Sequence, residues 1–197
     1  MGRLQLHVIA IGACSLWGCS AFGVPATDDP NRKLSYAGGL INDDRPIPAQ
    51  RLISEALEAF KINGDRMGTA EAYRLYGFLY RSRGIDKFEK NFRDGGFLDK
   101  TVTLDNRYIK SIENFEKAKD IYTQNNKFDK LTNVYLNMGV TYEVMKNKSA
   151  ACEAFDKSLE SNREFLKTDP NVKLDLPTGY TSYEEFIKQR REKVGCS

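Results

Sequence analysis

Histidine is almost missing from this chain. His7 is the only one, and it lies in an apolar N-terminal stretch with the character of an export signal. Once that stretch is removed, hydrolysis by a serine, histidine and aspartate set, cysteine–histidine catalysis and histidine-ligated zinc each lack a member they require. Cysteine is scarce too, with 4 in all. Cys14 and Cys19 fall in the leader, and the remaining pair, Cys152 and Cys196, cannot build a four-sulfur metal site. Neither a GxxxxGK[ST] loop nor a GxGxxG turn is present, so nucleotide binding has no support and no cofactor is expected. Charge of one sign is not concentrated: 30 basic residues stand against 27 acidic ones, interspersed along the chain, which excludes the basic face that nucleic-acid binding requires. Carboxylate pairs such as Asp43 with Asp44, or Asp65 with Glu71, cannot be placed across a cleft, and the chain reads as a protein other than an enzyme.

Long apolar runs are also lacking, since no segment approaches the ~20 residues of a membrane span. The first residues instead carry a basic start at Arg3, an apolar stretch from Leu4 to Ile11, and small residues toward Gly23. Residues 1–19 form the expected export signal. Leu16-Trp17-Gly18-Cys19 resembles the bacterial lipobox, with tryptophan at its centre in place of the usual smaller residue. The resemblance implies a lipid on Cys19 and a place in the bacterial cell envelope, at the outer membrane facing the periplasm. Two other cleavages stay open: lipidation at Cys14 after Ile11-Gly12-Ala13, and ordinary cleavage after Ala21-Phe22-Gly23, which would release a soluble secreted protein.

Residues 20–48 hold Pro25, Pro30, Gly38, Gly39, Pro46 and Pro48 among acidic pairs, a composition that suits a flexible tether. An irregular segment wrapped on the domain is the alternative around Leu40 and Ile41. Beyond it, residues 49–197 have a helical period almost throughout. One apolar face runs through Leu52, Ile53, Ala56, Leu57 and Phe60, closed by Asn63-Gly64-Asp65. Further helices are expected near residues 68–82, 105–124, 128–146 and 149–167. The last begins at Ser182, with Glu185 forming a capping box. Residues 85–106 carry Phe88, Phe92, Phe97 and Leu98, more apolar material than a free surface loop holds, and are expected to pack in part as a short helix. The fold class is all-α.

An apolar residue, a glycine and a tyrosine recur at identical offsets, in Tyr76-Gly77 with Tyr80 and in Met138-Gly139 with Tyr142. Ser111, Phe115 and Ala118 then match Ala151, Phe155 and Ser158. Small residues let two antiparallel helices approach while the aromatic ring fills the space beside them. In Tyr135, Met138, Gly139, Tyr142, Ala151 and Phe155 the chain resembles the tetratricopeptide repeat family, with Ser158 in place of the last alanine. The earlier copy puts Tyr73 at the large-residue position and is interrupted by residues 85–106. Leu52, Ala56 and Ala59 are read as the second helix of a degenerate preceding unit.

The resemblance implies antiparallel hairpins stacked as a short, irregular superhelix with a C-terminal capping helix. Its inner groove would present Glu71, Arg74, Phe78 and Arg81 from one hairpin and Asn133, Leu136, Val140 and Glu143 from the next. Arg74 and Arg81 would then set two guanidinium groups around one ring, a grip for an acidic or C-terminal peptide. The implied function is a non-catalytic, envelope-anchored adaptor that holds a protein or peptide partner and assists assembly or positioning of a membrane or secretion complex. The alternative is a soluble secreted module for a host or cell-wall component.

Cys152 falls in the first turn of the helix over 149–167. If the helix from Ser182 packs antiparallel on it, a rise of ~1.5 Å per residue carries the chain back roughly 18 Å and brings Cys196 beside Cys152. A disulfide is one reading of the pair. A buried Cys152 with a free thiol in the tail is the other.

Overall fold

Local signals set each helix before packing does. The computed structural model describes residues 24–172 and 176–197, so the export signal, with Cys14 and Cys19, lies outside the described residues. Helix α1 (Pro30–Asn42) starts where the Asp29 carboxylate accepts the Asn31 N–H at 2.9 Å and Pro30 occupies the first turn. No intrahelical N–H is needed there, so proline favours the start of a helix. Leu34, Ala37 and Leu40 follow at helical spacing and are buried. The tether expected over 20–48 is therefore corrected across residues 30–42. Its prolines begin helices, and its apolar spacing outweighs Gly38 and Gly39.

Helix α2 (Pro46–Ile62) again has proline in its first turn. Helix α3 (Arg66–Arg81) is capped by Asp65, whose side chain accepts the Gly68 N–H at 2.8 Å. Two short helices, α4 (Gly84–Lys87) and α5 (Glu89–Gly95), lie in the segment between α3 and α6 (Arg107–Gln124). Helices α7 (Phe128–Val144), α8 (Lys148–Thr168) and α9 (Tyr183–Val194) complete an all-α chain, with no strand among the described residues.

Four of the connections are the same turn. Asp44, Gly64, Asn126 and Lys146 each take a left-handed φ, from 51° to 67°. The following residue then donates its N–H to the carbonyl five places back: Arg45 to Leu40, Asp65 to Phe60, Lys127 to Tyr122 and Asn147 to Tyr142, at 2.8–3.0 Å. These bonds satisfy carbonyls that the helix ends leave without partners and reverse the chain in three residues, which forces antiparallel neighbours. Lys146 is the costly member, because it has neither glycine's missing Cβ nor the short polar side chain that lets Asp44 and Asn126 bond locally in that region.

The hairpins α3/α6 and α7/α8 close through one contact made twice. A Cβ on Gly77 would stand 2.5 Å from the Phe115 ring, and one on Gly139 would stand 2.5 Å from the Phe155 ring. Only hydrogen fits at either place. In α1/α2, Ala37, Ala49, Ile53 and Ala56 sit at the offsets of Gly139, Ala151, Phe155 and Ser158, and all four are fully buried. Alanine replaces glycine where the branched Ile53 replaces the ring. The first helix of that pair lay hidden in the proline-rich stretch, although its second was expected.

Residues 84–104 contribute several side chains to the core. Phe92, Phe97 and Val102 are buried with Leu52, Ile53, Tyr80 and Ile85, and Phe97 meets Phe92 in a stack and Tyr80 edge-on. Arg107, 4% exposed, bridges the gap between α3 and α6 by donating to the Ser82 carbonyl at 2.9 Å and the Asp86 carboxylate at 2.7 Å. A buried guanidinium with that many acceptors holds the ends of an insertion together.

Candidate functional site

The residues expected to form a groove lie together, but they are largely engaged with one another. Along α3, Arg74 and Arg81 place their guanidinium carbons 5.3 and 5.6 Å from the centre of the Phe78 ring. Phe78 meets Phe115 edge-on at 5.5 Å, so its ring anchors inward while the cations cover it. Arg74 donates to Glu71 at 2.9 Å and reaches Asn133 of α7 at 3.5 Å. Arg81 donates to the Asn137 carbonyl at 2.9 Å and to its side-chain oxygen at 2.8 Å. Both arginines therefore tie α3 to α7 while remaining half-buried on this face. Asn137 was not among the expected site residues, since an asparagine inside a helix gives no sign of what meets it across a packing interface.

On α7, Leu136 and Val140 pack on the cluster of Ala151, Phe155 and Ile187, which Tyr183, Phe186 and Val194 of α9 also join. Glu143 pairs with Lys193 at 2.8 Å and Arg190 at 3.5 Å, both from α9. The inward positions of the second hairpin are thus covered by the last helix. Val144 remains 47% exposed beside them.

That helix runs antiparallel to α8. Glu184 meets Arg163 at 2.7 Å, Tyr183 meets Ser158 at 2.6 Å, and Arg191 pairs with Asp156. Cys152 and Cys196 are joined by a disulfide with a Cα–Cα distance of 5.7 Å. Ser158 also donates to the Thr132 carbonyl at 2.7 Å, so one hydroxyl links α7, α8 and α9. Its signal in the sequence was serine standing where the repeat pattern has alanine.

Electrostatics distinguish the two ends of this face. Burial raises the pKa of Glu71, but Arg74, Lys130 and the Tyr122 hydroxyl outweigh it, and the carboxyl ends below its ordinary value. The Tyr122 hydroxyl, which donates to Glu71 at 2.9 Å, is pushed up by burial and then by that carboxylate. Arg81 is pulled down to about 10, by burial first and by the nearby Arg190 second. It has no carboxylate partner among the described residues, so two cations face one another with only amide oxygens to satisfy Arg81.

Two clefts lie elsewhere. One, of about 430 Å³, is mostly apolar and is lined by Ile109, Ile112, Tyr142 and Met145 with Glu113, Glu116 and Lys117. The other, of about 290 Å³, opens among α2, α3, α6 and residues 98–99. Neither contains a residue of the expected groove. Among the described residues no group of histidine, cysteine, aspartate or glutamate could hold a metal ion, and no helix is long and apolar enough to cross a membrane. No family model, curated protein or solved structure matches the chain.

Proposed function

We propose that this chain is a non-catalytic adaptor that holds an acidic segment of a protein partner on its inner face, outside the cytoplasm. Three hairpins with small residues and a ring or branched side chain at the same offsets support a tetratricopeptide-like stack, with α9 as its cap. The observation that carries the partner reading is Arg81: a half-buried guanidinium beside Arg190, over Phe78, with no carboxylate partner among the described residues. An acidic side chain arriving there would relieve the repulsion between like charges and gain a desolvated partner. The disulfide at Cys152 and Cys196 suits an oxidising compartment. A lipid on Cys19 would keep the domain at an envelope membrane, where it would assist assembly or positioning of a membrane or secretion complex.

Site-specific photocrosslinking in cells tests this reading. A photoreactive residue at Val144, on the inner face, is expected to capture one protein through an acidic segment identified by mass spectrometry. The same residue at Lys90, on the insertion, should not. Capture should weaken as salt rises, because exposed charge contacts are screened. Equal capture at both positions, or capture through an apolar segment indifferent to salt, would overturn it.

A further inference from the structure

Helix α9 closes the second half of the inner face, and it is fastened there at both ends. At its start Tyr183 meets the Ser158 hydroxyl at 2.6 Å and Glu184 meets Arg163 at 2.7 Å. At its far end the Cys152–Cys196 disulfide ties the chain to the beginning of α8, across a Cα–Cα distance of 5.7 Å. Both cysteines are partly exposed, which leaves the bond open to attack by a thiol.

Between those fastenings α9 has little to hold it. It is a helix of 12 residues, a length at which an isolated helix is marginal in water. Ile187 alone among its residues is buried, and Tyr183, Phe186 and Val194 pack only in part. The rest of its hold comes from partly exposed ion pairs, Arg190 and Lys193 with Glu143 and Arg191 with Asp156, which contribute little and weaken with salt. Once the disulfide is broken, residues 169–182 are the only covalent tie between α9 and α8.

Seated, α9 sets the charge of this face. Both cations that Glu143 meets, Arg190 at 3.5 Å and Lys193 at 2.8 Å, belong to α9. Arg190 also stands over the Phe155 ring, 5.8 Å from its centre, and close enough to Arg81 for the two charges to repel. Lifting α9 away removes Arg190 and Lys193, leaves Glu143 without them, and takes Ile187 off Leu136 and Val140. An acidic segment would then meet a bare carboxylate where it had met two cations.

We infer that the Cys152–Cys196 disulfide is a redox latch on partner binding: oxidised, it holds α9 on the inner face, which then accepts an acidic segment; reduced, it releases α9, and the face rejects one. This regulation rests on the acidic-partner reading of the same face. The reductant is a dithiol. Its thiolate attacks the Cys196 sulfur, the Cys152 sulfur leaves as a thiolate, and the second thiol then displaces Cys196. The dithiol ends as a disulfide, and its two protons end on Cys152 and Cys196.

Fluorescence anisotropy of a labelled decaglutamate peptide, titrated with the full chain at low salt before and after treatment with dithiothreitol, tests the latch. The oxidised chain is expected to bind the peptide at least about tenfold more tightly than the reduced chain. Hydrogen exchange on the same samples should show α9 losing protection on reduction while α3, α6 and α7 keep theirs. Cys152→Ser/Cys196→Ser should bind like the reduced chain and ignore dithiothreitol, and Glu143→Gln in that background should recover part of the binding by removing the uncovered charge. Equal binding in both redox states, or α9 protected in both, would overturn the latch and leave the acidic-partner reading standing. Binding in neither state would overturn that reading and the latch with it. Loss of protection throughout the chain on reduction would overturn a release confined to α9, and no recovery with Glu143→Gln would overturn its electrostatic cause.

Discussion

Gly77→Ala and Gly139→Ala put a methyl group where each hairpin allows none. In both, the new Cβ would stand 2.5 Å from a ring carbon, of Phe115 or Phe155, about 1 Å inside ordinary van der Waals contact. Phe115 cannot swing aside freely, being fully buried with Phe78 edge-on against it. Alanine gains ~0.8–1.0 kcal/mol over glycine from helix propensity. Overpacking a closed site costs about 1–3 kcal/mol. The rigid surroundings place these sites toward the upper end, so each variant should lose roughly 1–2 kcal/mol, or a fall in Tm of about 2–8 °C for a chain of this size. Gly39→Ala is the control. Its Cβ would meet nothing within 4 Å, so propensity alone acts and the variant should gain up to ~1 kcal/mol. Urea unfolding followed by far-ultraviolet circular dichroism measures all three. Phe115→Leu, which frees space beside Gly77, should recover part of the loss in the Gly77→Ala background and none in Gly139→Ala. Were Gly77→Ala or Gly139→Ala to stabilise the protein as Gly39→Ala does, the close approach within these hairpins would be wrong.

Three further outcomes follow from the contacts. The disulfide closes a loop across a sequence separation of 44, worth about 4 kcal/mol on the chain-entropy model; Cys152→Ala/Cys196→Ala should lower the Tm by roughly 8–16 °C, and hydrogen exchange should show α9 opening first. Glu71 titrates below its ordinary value of 4.5 in the folded chain, so its charged form contributes stability that is present above that value and lost as pH falls through the lower, folded pKa. Glu71→Gln should therefore be less stable at neutral pH and have a shallower acid limb in a series of urea melts. Arg81→Glu should lower the Tm as well as weaken partner capture, because it sets a carboxylate against the two Asn137 oxygens that Arg81 now satisfies; capture lost at an unchanged melting curve would show that this arginine does not tie α3 to α7.

Periodicity alone sufficed for the helices α2, α3 and α6 to α9, because each buries one stripe and its spacing survives in any context. The paired glycine and phenylalanine offsets were legible for the same reason: a close approach between helices demands a small residue on one and a filler on the other. Capping chemistry at Ser182 and the turn at Asn63-Gly64-Asp65 are local, and local rules found them. Even the antiparallel course of α9 came within reach, since two cysteines and a helix length restrict where the chain can return.

What the sequence could not decide is whatever depends on a partner distant along the chain. Proline and glycine made residues 30–42 look like a tether, and only burial of Leu34, Ala37 and Leu40 against α2 and α3 made them a helix. Arg74 and Arg81 have the same composition whether they face solvent or tie two helices. The tertiary structure decided for tying, because Asn133 and Asn137 stand opposite. Arg107 was invisible as a bridge, and the cleft among α2, α3 and α6 draws on helices whose residues carry no shared motif. Helix formation is a property of neighbours three and four apart, which one sequence displays; the environment of a charge is set by side chains tens of residues away, which only packing brings into contact.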